Sequence, residues 1–208
     1  MDSAHITSGP KIVDAPRIVD GPQIVAALRG VAPDGAVDAA PSADGMPAIY
    51  VAREHVEPVC RALRDLPALQ FAFAADVTGV DYMPREPRFE VVYTLASLGV
   101  GGFGDAPKRL RVKVRVPGTD PRMPTVSGVW KSMDWGEREV YDLFGIHFDG
   151  HPDLRRILMP EDWEGYPARK DYPVQIKMKP KVYEPLQLTP EEFARNVQAE
   201  RDRSARRT

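Results

Sequence analysis

Between Glu137 and Leu158 the chain reads EREVYDLFGIHFDGHPDLRRIL, a concentration of acids, arginines and two histidines among large apolar residues. Three chemistries could use such a stretch. Glu137 and Glu139 could act as paired carboxylates in acid–base catalysis. Residues two apart on a helix, however, point ~200° from each other and would not converge on one substrate. His147, Asp149, His151 and Asp153 alternate, so in a strand all four would share one face and could serve a zinc-dependent hydrolase through His147 and His151. Gly150 and Pro152 oppose a helical His pair, and a polar turn after a helix is the plainer reading. The third possibility is a surface that another protein covers.

Elsewhere the candidates are thinner. Cys60 would need a thiolate-stabilising neighbour, and His55, five residues away, is poorly placed on a helix. RLRVKVRV (109–116) carries four cations that could grip phosphates. Such a stripe also keeps an exposed sheet face soluble, or docks an acidic protein surface. No glycine-rich dinucleotide fingerprint precedes a helix, and no phosphate-loop lysine motif occurs. The residues therefore assign no catalytic, cofactor-binding or metal-binding group, and no nucleic-acid site.

The elements that must position this stretch follow from periodicity. PQIVAALRG (22–30) reads as a helix with Pro22 in its first turn and Gly30 at its end. DGAVDAAPSADG (34–45) reads as a loop and AIYVA (48–52) as a strand. REHVEPVCRALRDL (53–66) reads as an amphipathic helix burying Val56, Val59, Leu63 and Leu66. Strands are expected in FAFAADVTGVDY (71–82), FEVVYTLASL (89–98) and RLRVKVRV. In the last, Leu110, Val112, Val114 and Val116 face one way and the cations the other, which favours antiparallel pairing with one wet face. GVGGFGDAPK between the last two strands fits a hairpin loop. DWGEREVYDLFG (134–145) reads as a helix, with Asp134 as cap, Glu137 completing a capping box and Gly145 ending it.

From Pro152 prolines recur every five to eight residues, yet the segment keeps Leu154, Ile157, Leu158, Trp163, Tyr166 and Tyr172. A disordered linker would rarely hold so many apolar groups, so this chain is expected to lie along another surface. TPEEFARNVQAERD then opens a last helix with Thr189, Pro190 and Glu192 in capping positions. The expected fold is α+β: a mainly antiparallel sheet with helices packed on one face, in the order α-β-α-β-β-β-α, followed by a long extended Pro-rich C-terminal tail. Three regions are expected: a mobile N-terminal arm over residues 1–20, an α+β domain over 21–150, and a partner-wrapping tail over 151–208. The arm contains the repeat KIVDAP, RIVDGP, QIV, too short for a solenoid.

Composition sets outer limits. Over 208 residues, 43% hydrophobic and 28% charged content suit an ordinary globular core, whereas 21 prolines demand much turn-rich chain. A net charge of −2 argues against a general nucleic-acid binder. A single cysteine cannot supply the roughly four thiolates of an iron–sulfur cluster. No apolar run reaches the ~20 residues of a membrane span. MDSAHITSGP lacks the features of a secretory signal, so a cytosolic or cytosol-facing protein is expected.

The stretch from Glu137 to Leu158 resembles the signature of the C-subunit family of the proton-translocating NADH:quinone oxidoreductase, respiratory complex I. That signature is E-R-E, an acid three positions on, two apolar residues, a six-residue spacer, then His, Arg and two apolar positions. Glu137, Arg138, Glu139, Asp142, Leu143, Phe144, His151, Arg155, Ile157 and Leu158 supply it without departure. PEDWEGYPARKDYP (160–173), with Arg169, Lys170 and Asp171, is similar to the family's next block, Ala168 replacing a larger apolar residue. The likeness is strong over 120–175, rests on element order over 48–117, and is absent from the first 20 residues.

The resemblance implies a cofactor-free structural and assembly subunit of the hydrophilic arm, peripheral on the cytoplasmic side of a bacterial inner membrane. Its partners would be chiefly the quinone-site (D) subunit, with the B and G subunits nearby, while FMN and iron–sulfur clusters in partner subunits carry electrons from NADH to quinone. The motif would be a docking and folding hub, its charges pairing with Arg155, Arg156, Arg169, Lys170 or a partner. The same scaffold would also suit a related ferredoxin-driven or hydrogenase-type complex.

Overall fold

The computed structural model describes residues 20–97, 108–173 and 189–205; residues 11–19 of the KIVDAP repeat, like the rest of the expected arm before Asp20, lie outside them. What is described of the repeat is structured. Asp20 accepts the Gln23 N–H at 2.9 Å and caps α1 (Gly21–Ala27), whose first turn holds Pro22. β1 (Val37–Ala39) and β2 (Ala48–Val51) follow. A 3₁₀ turn at Arg53–His55 then leads into α2 (Val56–Asp65). The long strands are β3 (Phe73–Asp81), β4 (Phe89–Ser97) and β5 (Lys108–Val116). β6 (Arg122–Pro124), α3 (Met133–Phe144) and β7 (His147–Asp149) complete the body, and α4 (Pro190–Ala205) comes last.

The main sheet has the order β1-β2-β5-β4-β3. β3–β4 and β4–β5 are antiparallel, as the alternation requires, and Ser97 pairs with Lys108 at the head of the second hairpin. The sheet is nevertheless mixed. β2 runs parallel to β5, with Ile49 opposite Val112 and Val51 opposite Val114. The reason is connectivity: α2 carries the chain across to β3, and two hairpin reversals bring β5 back alongside β2. β1, read as part of a loop, is a three-residue edge strand paired with β2 through Val37, Asp38 and Ala39. β6 and β7 form a separate parallel pair. Strands of three residues are too short to show a period of two.

One sheet face is largely apolar, with Asp81 and Ser97 buried at its ends. Ile49, Val51, Val91, Tyr93, Leu95, Leu110, Val112 and Val114 join Val56, Val59, Cys60 and Leu63 of α2 in one buried cluster. Val77 of β3 and Val140 of α3 belong to it too. The opposite face carries the cation stripe, and two of its four cations are paired with carboxylates within the chain. Arg111 binds both carboxylate oxygens of Asp44 at 3.0 and 2.7 Å, Lys113 lies 3.6 Å from Glu90, and the Arg115 guanidinium sits 4.0 Å above the Tyr50 ring. Pairing halves the charge that the stripe could offer a phosphate backbone.

Two compact units result, divided between Tyr172 and Pro173. Residues 151–172, which the prolines assigned to the tail, group with the first unit. In the second unit, Thr189 and Glu192 form the anticipated capping box: the Glu192 N–H reaches Thr189 Oγ1 at 3.2 Å and the Thr189 N–H reaches Glu192 Oε2 at 3.0 Å. Residues 174–188 of the expected tail lie outside the described residues.

Candidate functional site

α3 is built to touch the sheet closely. A Cβ on Gly136 would come within 2.5 Å of Val77 Cγ1, and one on Gly79 within 2.6 Å of the Phe144 ring. Glycine at these two positions lets helix and edge strand approach. Gly145 ends the helix in the left-handed region at φ 70°, where glycine carries no Cβ penalty. The expected N-terminal box does not form. Ser132 occupies the cap position without a side-chain bond, and Glu137 turns inward to the sheet. Burial between β4 and the turn after β6 offers that carboxylate more donors than the helix end does.

Glu137 is fully buried. Its Oε1 accepts from the Tyr93 hydroxyl at 3.0 Å and the Val126 N–H at 2.8 Å, and its Oε2 contacts Thr125 Oγ1. No arginine or lysine among the described residues pairs with it. Burial raises its pKa above the ordinary glutamate value, although Thr125, Val126, Tyr93 and His151 pull the other way.

Asp142 is as deeply buried but differently held. Its Oδ2 accepts three successive main-chain N–H groups, from Ile157 at 3.0 Å and from Leu158 and Met159 at 2.8 Å. Its Oδ1 accepts from the Arg156 guanidinium at 2.7 Å. Burial alone would raise its pKa, but the three N–H groups and Arg156 outweigh that and leave it lowered. Arg138 completes the attachment by donating to the carbonyls of Arg155 and Arg156 at 3.1 and 3.2 Å. The segment 155–159 is thus strapped along α3.

A second clamp fixes the next block. Arg88 bridges Asp81, at 3.1 and 2.8 Å, and Asp171, at 3.0 and 2.7 Å. The Lys170 N–H reaches Asp81 Oδ2 at 2.9 Å. Arg88, and with it the N–H groups of Lys170 and Met83, holds the Asp81 carboxyl well below the usual carboxylate range. Arg169 donates to the terminal carbonyls of α3 at Phe144 and Gly145 and lies over the rings of Tyr166 and Phe89. A cation there complements the helix dipole.

The anticipated pairing between helix charges and downstream cations is therefore only partly realised. Asp142 takes Arg156, but Arg155 pairs with Asp153 at the surface, Lys170 contributes its main chain to Asp81, and Arg169 binds carbonyls. Glu139 is exposed, Leu143 and Phe144 are half-buried, and Leu158 faces solvent at 58% exposure, as does Trp135 at 70%.

The zinc reading loses its geometry. β7 ends at Asp149, Gly150 turns the chain at φ 81°, and the His151 side chain is buried. His151 Nδ1 accepts the Asp153 N–H at 3.1 Å while Nε2 meets the Asp134 carbonyl at 3.0 Å, so both nitrogens are engaged. His147 instead faces Asp149 at 3.1 Å. Among the described residues no three His, Cys, Asp or Glu side chains are grouped to hold a metal. Cys60 is buried and its thiol is pushed far up by burial, which makes it unreactive.

Four participants escape a reading of the motif alone: Tyr93, Thr125, Asp81 and Arg88. Tyr93 had a signal. It is the one phenol on the inward face of β4, and a buried tyrosine needs a partner.

The site thus belongs to an α+β module whose charged helix is strapped to the chain behind it. Residues 49–177 match the family model for the respiratory-chain NADH dehydrogenase, 30 Kd subunit, and the chain belongs to that family. It is similar to the NADH-quinone oxidoreductase C 2 subunit of Rhizobium meliloti (strain 1021), with 48% identity over 141 residues, covering 68% of this chain and 74% of the relative. The corresponding C subunit of Geobacter sulfurreducens is 52% identical over 128 residues, 61% of this chain and 74% of that one. The solved structure of the membrane-bound sulfane sulfur reductase, an archaeal respiratory membrane complex, contains a chain with TM-score 0.50 and 26% identity. That alignment covers 68% of this chain and 79% of the other.

Proposed function

We propose that this chain is a scaffold subunit of the hydrophilic arm of an NADH:quinone oxidoreductase, carrying no redox group and performing no substrate chemistry itself. The observation that carries the reading is that the family match over 49–177 contains the whole of the α3 clamp. The charged groups of that clamp are spent on holding the chain to itself. Its single cysteine is buried, and a cluster asks for about four thiolates. FMN and iron–sulfur clusters then belong to partner subunits, and electrons pass from NADH to quinone through those neighbours. The partners proposed are the quinone-site (D) subunit, with the B and G subunits nearby. Glu139, Trp135 and Leu158, left facing outward beside the clamp, are the contact candidates.

No helix among the described residues is long and apolar enough to cross a membrane. The proposed location is peripheral, on the cytoplasmic side of a bacterial inner membrane, reached through partners. The test is purification of the native assembly through a tag on this chain. Recovery of the quinone-site subunit and an NADH-oxidising activity supports the reading; recovery of the chain without oxidoreductase subunits overturns it. The likeness to a chain of the sulfane sulfur reductase favours a second reading, the same scaffold in a related complex with another electron donor. Substrate profiling of the same preparation separates the two.

A further inference from the structure

The hydroxyl chain behind Glu137 can be satisfied in two ways. Thr125 Oγ1 contacts Glu137 Oε2 and lies 2.8 Å from Ser127 Oγ, while it accepts the Ser127 N–H at 3.0 Å. A hydroxyl has one hydrogen, so Thr125 cannot donate to both the carboxylate and Ser127. Two complete arrangements exist. With Glu137 ionised, Thr125 donates to Oε2 and receives both the O–H and the N–H of Ser127. With Glu137 protonated, Oε2–H donates to Thr125, which then donates to Ser127 Oγ. The heavy atoms stay in place, and both states keep Glu137, Thr125 and Ser127 hydrogen-bonded.

We propose that Glu137 is a proton-binding site, whose carboxyl takes up and releases one proton as the hydroxyls of Thr125 and Ser127 reverse direction behind it. Ser127 is 4% exposed, and Thr125, only partly buried, is the less enclosed of the two hydroxyl residues. The step balances as protonation by solvent: one O–H bond of hydronium breaks, the Oε2–H bond forms, water is left, and the two hydroxyls reverse direction.

The surroundings favour a site that holds both charge states. Charged and titratable groups facing Glu137 from the elements packed on it are few. β4 presents Tyr93, α2 presents Cys60, and the loop after β7 presents His151. The Asp153 N–H occupies His151 Nδ1, leaving the ring proton on Nε2 toward Asp134, so the imidazole has no free donor for Glu137. Contrast Asp142 five residues on, where a guanidinium and three N–H groups fix the carboxylate as an anion. The raised Glu137 pKa agrees with the geometry.

The test is pH-difference infrared spectroscopy on the full chain, following the carboxylic-acid carbonyl stretch. Wild-type protein should keep this band at pH values where an ordinary glutamate, with a pKa of about 4.3, has lost it. The band should shift in heavy water, disappear as pH rises, and be absent from Glu137→Gln, whose amide mimics the protonated acid. Tyr93→Phe removes a donor to the ionised form and should move the titration up by about one pH unit. If Glu137→Gln fails to fold, the Tyr93→Phe shift assigns the band. A wild-type band that is lost together with the ordinary carboxylates, at about pH 4.3, overturns the proposal, as does a band that Tyr93→Phe leaves in place.

Discussion

Glu137 and Asp142 stand five residues apart on one helix, both fully buried, and are held in opposite ways. Glu137 meets neutral donors only, from Tyr93, Val126 and Thr125. Asp142 meets a guanidinium and three consecutive main-chain N–H groups. The first carboxyl ties α3 to the sheet, and the second ties the following chain to α3.

Removing the charge at position 142 should therefore release the strap. Asp142→Asn turns an amide N–H toward a donor cluster and leaves Arg156 unpaired. Breaking such a buried pair costs about 3–5 kcal/mol, whereas Arg155→Ala, which disrupts an exposed pair with Asp153, should cost at most about 1 kcal/mol. Urea denaturation measures the difference. Limited proteolysis should cut the Asp142→Asn chain within 155–172 first. Equal stability losses for the two variants would contradict the clamp.

The two carboxyls should also give opposite pH dependences. Asp142 and Asp81 have lowered pKa values, so the folded state holds their protons less tightly than the unfolded one. Their contribution is present above the ordinary aspartate value of about 3.9 and lost as pH falls below it. Glu137 is raised, so its contribution is greatest at low pH and declines as pH rises through its folded value. The stability gap between wild type and Asp142→Asn should shrink on acidification. On alkalinisation wild type should lose stability relative to Glu137→Gln, whose amide does not titrate. Denaturation curves at several pH values check both signs.

Gly136→Ala sets helix propensity against packing. Alanine gains up to about 1 kcal/mol in a helix interior, but its Cβ would lie 2.5 Å from Val77 Cγ1. Overpacking typically costs about 1–3 kcal/mol, so the net effect should be destabilising. An unchanged or raised denaturation midpoint would show that α3 can move off β3.

Cys60 should resist a small thiol reagent in the folded chain and react only on opening, since it is buried and its thiolate is strongly disfavoured. Its labelling rate should track global stability, falling in stabilising conditions and rising in Asp142→Asn. Rapid labelling of native protein would contradict a closed core.

Glu139→Gln tests the docking role separately from folding. Glu139 is exposed, so the isolated chain should keep its stability to within about 0.5 kcal/mol. Assembly yield should fall if a partner reads this charge, with turnover per assembled complex unchanged. Normal yield with severely reduced turnover would place this helix on the catalytic path and refute the scaffold reading.

Local order was written in the sequence. The alternation of β5, the apolar spacing of α2, the Thr189–Glu192 box and the Gly145 stop all depend on residues within about four positions, where backbone geometry dictates periodicity. The family motif marked α3 and its strap as the place of interest. Tertiary structure alone decided what those charges do. Asp142 meets residues 14 to 17 positions away, and Asp81 meets Lys170 at a separation of 89. No local period encodes which distant donor fills a buried acceptor. The same limit hid the parallel pairing of β2 with β5 and turned Glu137 from a helix cap into a core carboxyl. Burial leaves a polar group only the partners that the fold brings to it, and those come from packing the whole chain.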